Sequence, residues 1–194
     1  EVLGRAGHHA KVLIADGTAI KAQLAVPATV SVRLARLASV QRDGALDNSL
    51  IAHEWGHYIS NRLVADSNGL TANQAQGLGE GFADFHALLL LVKEGDRNLP
   101  ANAAFNGTYA ESAYPPSGPD YGADARNDAY YFGIRRYPYS RDMAKNPLTF
   151  RHISNGVELP AGAPRSPVNG ASTNAEVHNT AEVCASMLWE CYGN

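Results

Sequence analysis

At Asp47 the spacing of apolar positions changes. Leu50, Ile51, Trp55, Tyr58, Ile59 and Leu63 recur at steps of three and four, the period of an amphipathic helix, and Asp47 or Asn48 ahead of them is a good N-cap. The spacing predicts a helix of about 16 residues. Ahead of it, "KVLIAD" and "ATVSVRL" are short β-branched or apolar runs parted by Gly17 and Pro27, so residues 1 to 40 read as strands with turns. Behind it, Gly69 and Gly77 bracket a polar connection, and a second helix is expected from about Gly79 to Lys93, ending at Gly95. Residues 94 to 130 hold no period, only Pro, Gly, Asn and Tyr as in "AYPPSGPDYG", which reads as a long loop or lobe insertion. A second Pro/Gly-rich stretch fills 158 to 172. The last helix is expected from near Asn179, whose spacing to Glu182 allows a capping box, and continues through Val183, Met187, Leu188 and Cys191. No internal repeat interrupts this order.

The pattern reads as one α+β domain over residues 1–194, with a strand-rich lead-in at 1–46 and the helices at 47–194. A chain of 194 residues can bury a sizeable core, and 45% hydrophobic with 18% charged residues is ordinary for a globular protein. The net charge of -3 favours no partner class, and no basic cluster points to nucleic acid. The longest apolar run, "FHALLLLV", is too short to span a bilayer. No leader precedes Glu1, and "CYGN" follows directly on a helical pattern, so the chain reads as an excised piece truncated at its C-terminal end. Cys184 and Cys191 lie about 10 Å apart along one helix, too far to pair with each other, and read as buried free thiols.

The chemistry sits in "LIAHEWGHYIS". On a helix, His53 and His57 are one turn apart on one face and their imidazoles can converge on one tetrahedral ion, while Glu54 points to an adjacent face. That frees Glu54 for proton chemistry. A catalytic zinc takes three protein ligands and keeps a position for water, so a third ligand must come from elsewhere. The next glutamate is Glu80 in "GLGEGFADF", and Asp84, one turn on, is placed to accept the free ring N–H of a ligating histidine. Zinc is favoured over iron because the ligand set requires no oxidation chemistry. Two other readings share these residues: a non-catalytic module that keeps zinc for structure, and an aminopeptidase, which would need an acidic pocket for a free amine.

Four blocks, "HEWGHYISNRL", "GLGEGFADF", "IRRYPYSRDMAKNPLTF" and "VHNTAEVCASMLWE", taken in this order, resemble the signature blocks of the fungalysin family of zinc endopeptidases, which are thermolysin-like gluzincins. The resemblance implies a zincin-like fold with the first helix on the floor of a cleft between a β-containing N-terminal lobe and a helical C-terminal lobe. It also implies a secreted enzyme made as a zymogen, with an inhibitory propeptide, that hydrolyses peptide bonds of extracellular proteins. Carried over, His53, His57 and Glu80 are the zinc ligands, Glu54 is the general base and Asp84 steadies a ligand histidine. His178 resembles the histidine that donates to the oxyanion in this class. Tyr137 and Tyr139 could supply a phenolic donor and Arg135 or Arg136 could hold a substrate carbonyl, with packing and surface roles the equal alternative for all four. His8, His9, His86 and His152 have no partner at ligand spacing and read as structural or exposed. Asp120, Asp124 and Asp128 recur in steps that match no calcium loop. Residues 1 to 40 do not resemble the family's lead-in, whose edge strand would pair with extended substrate.

Overall fold

The computed structural model describes residues 42–117, 128–166 and 173–194. The strands expected within residues 1 to 40, His8, His9, Asp120 and Asp124 lie outside them. Helix α1, Asn48–Leu63, has the length and start that its period predicts, because the Asp47 carboxylate accepts from the N–H groups of Ser49 (2.9 Å) and Leu50 (3.4 Å). Helix α2 is Asn73–Leu91, the short α3 is Ala129–Phe132 and α4 is Val177–Gly193. The expected starts of α2 and α4 need correction, and each has a physical cause.

Helix α2 starts at Asn73 rather than near Gly79, so Gly77 lies inside it and not in a connection ahead of it. The missing side chains are what let α2 touch its neighbours: a Cβ on Gly81 would lie 2.6 Å from Cys184 Cβ and 2.9 Å from the Ala181 carbonyl on α4. Close packing offsets the helix penalty of glycine, which is of order 1 kcal/mol. Helix α4 likewise starts earlier, with Glu176 as its N-cap, and Glu182 points into the core to Arg136 instead of closing a capping box with Asn179. On α1 the packed face is Ser49, Ala52, His53 and Gly56, set against α2. Its large apolar residues face away: Ile51, Trp55 and Tyr58 are each more than half exposed and, with Leu90 and His86, line a groove of about 750 Å³.

Helix α2 packs against both α1 and α4, so the segments carrying His53, Glu80 and His178 meet along one helix. Beneath them Leu88, Phe105, Tyr109, Tyr139, Ala185 and Trp189 form the main core, and Tyr137, Leu148, Ala163 and Val183 a second one. The aperiodic stretch from 94 is not a solvated loop throughout, since it places Phe105, Tyr109, Glu111 and Ser112 in the interior. Among the described residues there is no strand, only one antiparallel bridge in which Tyr109 and Tyr139 exchange backbone hydrogen bonds of 2.8 and 2.9 Å. Cys184 is half-buried and Cys191 exposed, both unpaired, so the second is not the buried thiol expected. No helix among the described residues is long and apolar enough to cross a membrane.

Candidate metal centre

Three donor atoms converge between α1 and α2. His53 Nε2 and His57 Nε2 are 3.0 Å apart, and Glu80 Oε2 lies 3.3 Å from the first and 3.4 Å from the second. A tetrahedral ion bound at about 2.0–2.1 Å holds its ligand atoms roughly 3.3–3.4 Å from one another, so the triangle has the dimensions of one face of that tetrahedron. Glu80 Oε2 is buried and has no hydrogen-bond partner. A carboxylate oxygen left in that condition is costly unless a cation takes the place of water. Two imidazole nitrogens and one carboxylate oxygen also form a donor set suited to zinc. The residues fit the ion.

The remaining atoms of the ligands are held from behind. His53 is 4% exposed, and its Nδ1 lies 2.7 Å from Asp84 Oδ1 on α2, which assigns the proton to Nδ1 and leaves Nε2 as a donor to a metal. Asp84 has no exposure. It also accepts from Arg135 Nε (2.7 Å) and Nη2 (2.6 Å) and from the Tyr139 hydroxyl. Burial alone would raise the Asp84 carboxyl, but the charge of Arg135 and the hydrogen bonds from His53 and Arg135 hold it well below the usual carboxylate range. Burial also acts to raise Glu80, and contacts with His53 and His57 outweigh it, so Glu80 too is held low. In the metal-free chain burial opposes a proton on His53, yet its hydrogen bond to Asp84 and the Glu80 carboxylate 3.3 Å away push its pKa up to about 10. The cluster attracts positive charge, which a proton supplies when no metal does.

Glu54, next along α1 from His53, is exposed and lines the groove beside Trp55 and Tyr58, outside the ligand triangle. His178 Nε2 is 3.5 Å from Glu80 Oε1, so the ring stands at the centre's edge although it belongs to the first turn of α4 rather than preceding it. The other two pairs named from sequence point elsewhere. The Arg135 guanidinium is committed to Asp84; Arg136 bonds to Glu182, Asn174 Oδ1 and the Asn179 carbonyl, and both are buried, which leaves neither to hold a substrate carbonyl. Tyr139 donates to Asp84 and Tyr137 to the Pro160 carbonyl at 3.3 Å, so neither phenol is turned to the ligand triangle. His152 is buried and caps a 3₁₀ turn with Thr149, and His86 bonds to the Ala52 carbonyl through Nδ1. Asp128 stands at the start of α3.

Two carboxylates at this centre were not picked out from sequence. Glu176 clamps His178: its Oε1 is 2.6 Å from His178 Nδ1, while Oε2 accepts from the His178 and Asn179 N–H groups at 3.0 and 3.1 Å. The signal was a carboxylate two residues before a histidine at a helix start, hidden because glutamate is not among the preferred caps. Glu111 lies buried beside Asp84 and His53 in a stretch with no period to place it.

The fungalysin metallopeptidase family model matches residues 14–194. The chain is similar to an extracellular metalloproteinase (mep) of Aspergillus terreus, 32% identical over 158 residues, which cover 79% of this chain and 19% of the relative. It is 33% identical over 156 residues to the corresponding protein of Aspergillus fumigatus, with the same coverage. Against extracellular metalloproteinase 10 of Coccidioides posadasii the identity is 30% over 160 residues, 81% of this chain and 20% of the relative. The chain thus spans about a fifth of the length of these curated relatives.

Proposed function

Because the chain belongs to the fungalysin metallopeptidase family, we propose that it carries the catalytic centre of a secreted zinc endopeptidase that hydrolyses peptide bonds of extracellular proteins. The relatives' description as extracellular metalloproteinases supports this reading. The observation that carries it is the His53–His57–Glu80 triangle, whose separations of 3.0, 3.3 and 3.4 Å suit one tetrahedral ion. His53, His57 and Glu80 hold the zinc, and Asp84 orients His53 through its Nδ1. The fold that accompanies this site is α+β and zincin-like, with α1 carrying both histidines of the triangle. Its partners are protein or peptide substrates and an inhibitory propeptide, not nucleic acid or membrane.

His53, His57 and Glu80 would hold the zinc, which would supply Lewis-acid polarisation. Glu54 would act as the general base and then the general acid, taking a proton from the attacking water and returning it to the leaving amine, a role suited to a carboxylate that is exposed and outside the ligand triangle. His178 donates from Nε2 to the developing oxyanion. The Glu176 carboxylate holds the Nδ1 proton, which fixes the ring with Nε2 toward the centre. Asp84, with Arg135 and Tyr139 behind it, keeps His53 from turning.

The test is metal analysis coupled to proteolysis in the full-length protein. One zinc per chain is expected, with casein digestion abolished by a chelator. Glu54→Gln, nearly isosteric but no base, should keep zinc and lose nearly all turnover, while His57→Ala should lose most of the metal. Full turnover in the Gln variant would remove Glu54 from the mechanism, and a metal-replete Ala variant would remove His57 from the ligand set.

A further inference from the structure

Glu111 has no solvent exposure, yet it belongs to no helix or strand. Its Oε1 accepts from the Ser112 hydroxyl, and its Oε2 is buried without a hydrogen-bond partner. The backbone leaves it little choice of position. The Glu111 carbonyl accepts from Ile134 N at 3.0 Å, and the turn at Gly133 (φ +59°) comes so close that a Cβ there would lie 1.8 Å from that oxygen. On the other side Ser112 N donates to Ser49 Oγ (2.8 Å), Ser49 Oγ to Asp47 Oδ1 (2.6 Å) and Tyr114 N to Asp47 Oδ2 (2.9 Å). Residues 111–114 therefore strap the start of α1 to the turn that carries Arg135. A strap built for stability would bury an apolar side chain here, since under-partnered carboxylates oppose folding. The carboxylate has some other use.

What it faces indicates that use. One donor atom each from His53, Asp84 and Glu111 lies within 4.8 Å of the other two. Asp84 already accepts from His53 Nδ1, from two Arg135 N–H groups and from the Tyr139 hydroxyl. Three of these four donors draw charge from the carboxylate that must strengthen His53 as a ligand. With a dication in the triangle, the carboxylates of Glu80 and Asp84 and the guanidinium of Arg135 leave one positive charge uncancelled in a buried site. Among the described residues Glu111 is the further carboxylate in the His53–Asp84 group, and it carries the missing charge.

We propose that Glu111 is the buried counter-charge of the metal centre, a positioning residue that acts on His53 through Asp84 and Arg135 and sets how tightly the centre holds zinc. This rests on the ligand set of the previous subsection. It predicts opposite effects on stability and metal affinity. In the full-length protein, Glu111→Gln and Glu111→Met remove the charge at nearly constant volume. Both should weaken zinc binding at least tenfold, the low end for partners behind a metal ligand, measured by competition with a chromophoric chelator. Both should also shift the visible absorption bands of the Co²⁺-substituted protein. The zinc-free Met variant should melt no lower than the zinc-free parent, since the desolvated charge is gone.

Zinc affinity within about twofold of the parent in both variants, with unchanged cobalt bands, would overturn the proposal. So would affinity that falls only in step with the melting temperature of the zinc-free protein, the mark of a merely structural residue. Should the Gln variant fail to fold, the Met variant decides by the same two measurements. A parent protein that binds no zinc would instead overturn the ligand set itself.

Discussion

Asp84 shows how one side chain serves two ends. Its four donors come from α1, from the turn after α3 and from Tyr139, so the residue that orients a candidate metal ligand also ties three segments together. Asp84→Asn keeps the shape and removes the charge that Arg135 needs. Stability should fall by about 3–5 kcal/mol, the usual cost of breaking one side of a buried pair. A chemical-denaturation midpoint for the zinc-free variant equal to that of the parent would show that Arg135 finds another acceptor. Glu176 and His178 stand at the opposite limit, exposed enough that their loss should be chemical more than structural. His178→Ala should lower kcat on the order of a hundredfold with little change in KM or zinc content, since an oxyanion donor acts in the transition state. Glu176→Ala should lower kcat in the same direction by freeing the ring, and should in addition cost α4 about 1 kcal/mol in lost capping. If KM rises while kcat holds, His178 binds substrate instead.

Elements differ in how plainly the chain announces them, and the reasons are local. Helix α1 was legible to its first residue because period and cap agree: Asp47 precedes the apolar repeat and its carboxylate bonds where a cap should. The convergence of three donor atoms was legible with it, since His53 and His57 follow from helical spacing and Glu80 is the next carboxylate picked out from sequence. What the repeat did not show is which face packs. The stripe of Ile51, Trp55 and Tyr58 suggested itself, yet the small residues Ala52 and Gly56 are what let α2 approach. The same contest misplaced the starts of α2 and α4, where glycine reads as a breaker and glutamate as a weak cap until tertiary contacts are known. Gly81 tests the point. Gly81→Ala favours the helix by propensity but drives a methyl into Cys184 and the Ala181 carbonyl, so it should destabilise by about 1–3 kcal/mol in thermal melts. A stabilised variant would mean that α4 can retreat at little cost. Glu111 and its strap had no local signal at all, because bonds across more than sixty positions, such as Ser112 N to Ser49 Oγ, leave no period in the chain.

For the molecule as a whole, the centre couples stability to protons and to metal in opposite senses. In the metal-free chain His53 is raised from 6.5 to about 10, because its hydrogen bond to Asp84 and the nearby Glu80 carboxylate outweigh its burial. A raised histidine contributes stability that is complete below its unfolded value and is lost as pH climbs through the folded one. Burial and the charge of Asp84 push Glu111 from 4.5 up to about 7, which acts in the same direction, because the fold prefers its neutral form. Glu80 and Asp84 are depressed, so their contribution is present above the ordinary carboxylate range and fades only well into acid. Metal-free protein should therefore lose stability steadily from pH 6.5 towards 10. On the proposed ligand set zinc requires the His53 ring nitrogen free of a proton, so its apparent affinity should strengthen over the same interval, and whatever binds only the folded state stabilises it. The gap in melting temperature between zinc-loaded and chelator-stripped protein should widen from pH 6.5 to 9. A gap that narrows would mean that His53 is already neutral without metal, and that the negative charge gathered around it by Asp84, Glu80 and Glu111 is spent on Arg135 alone.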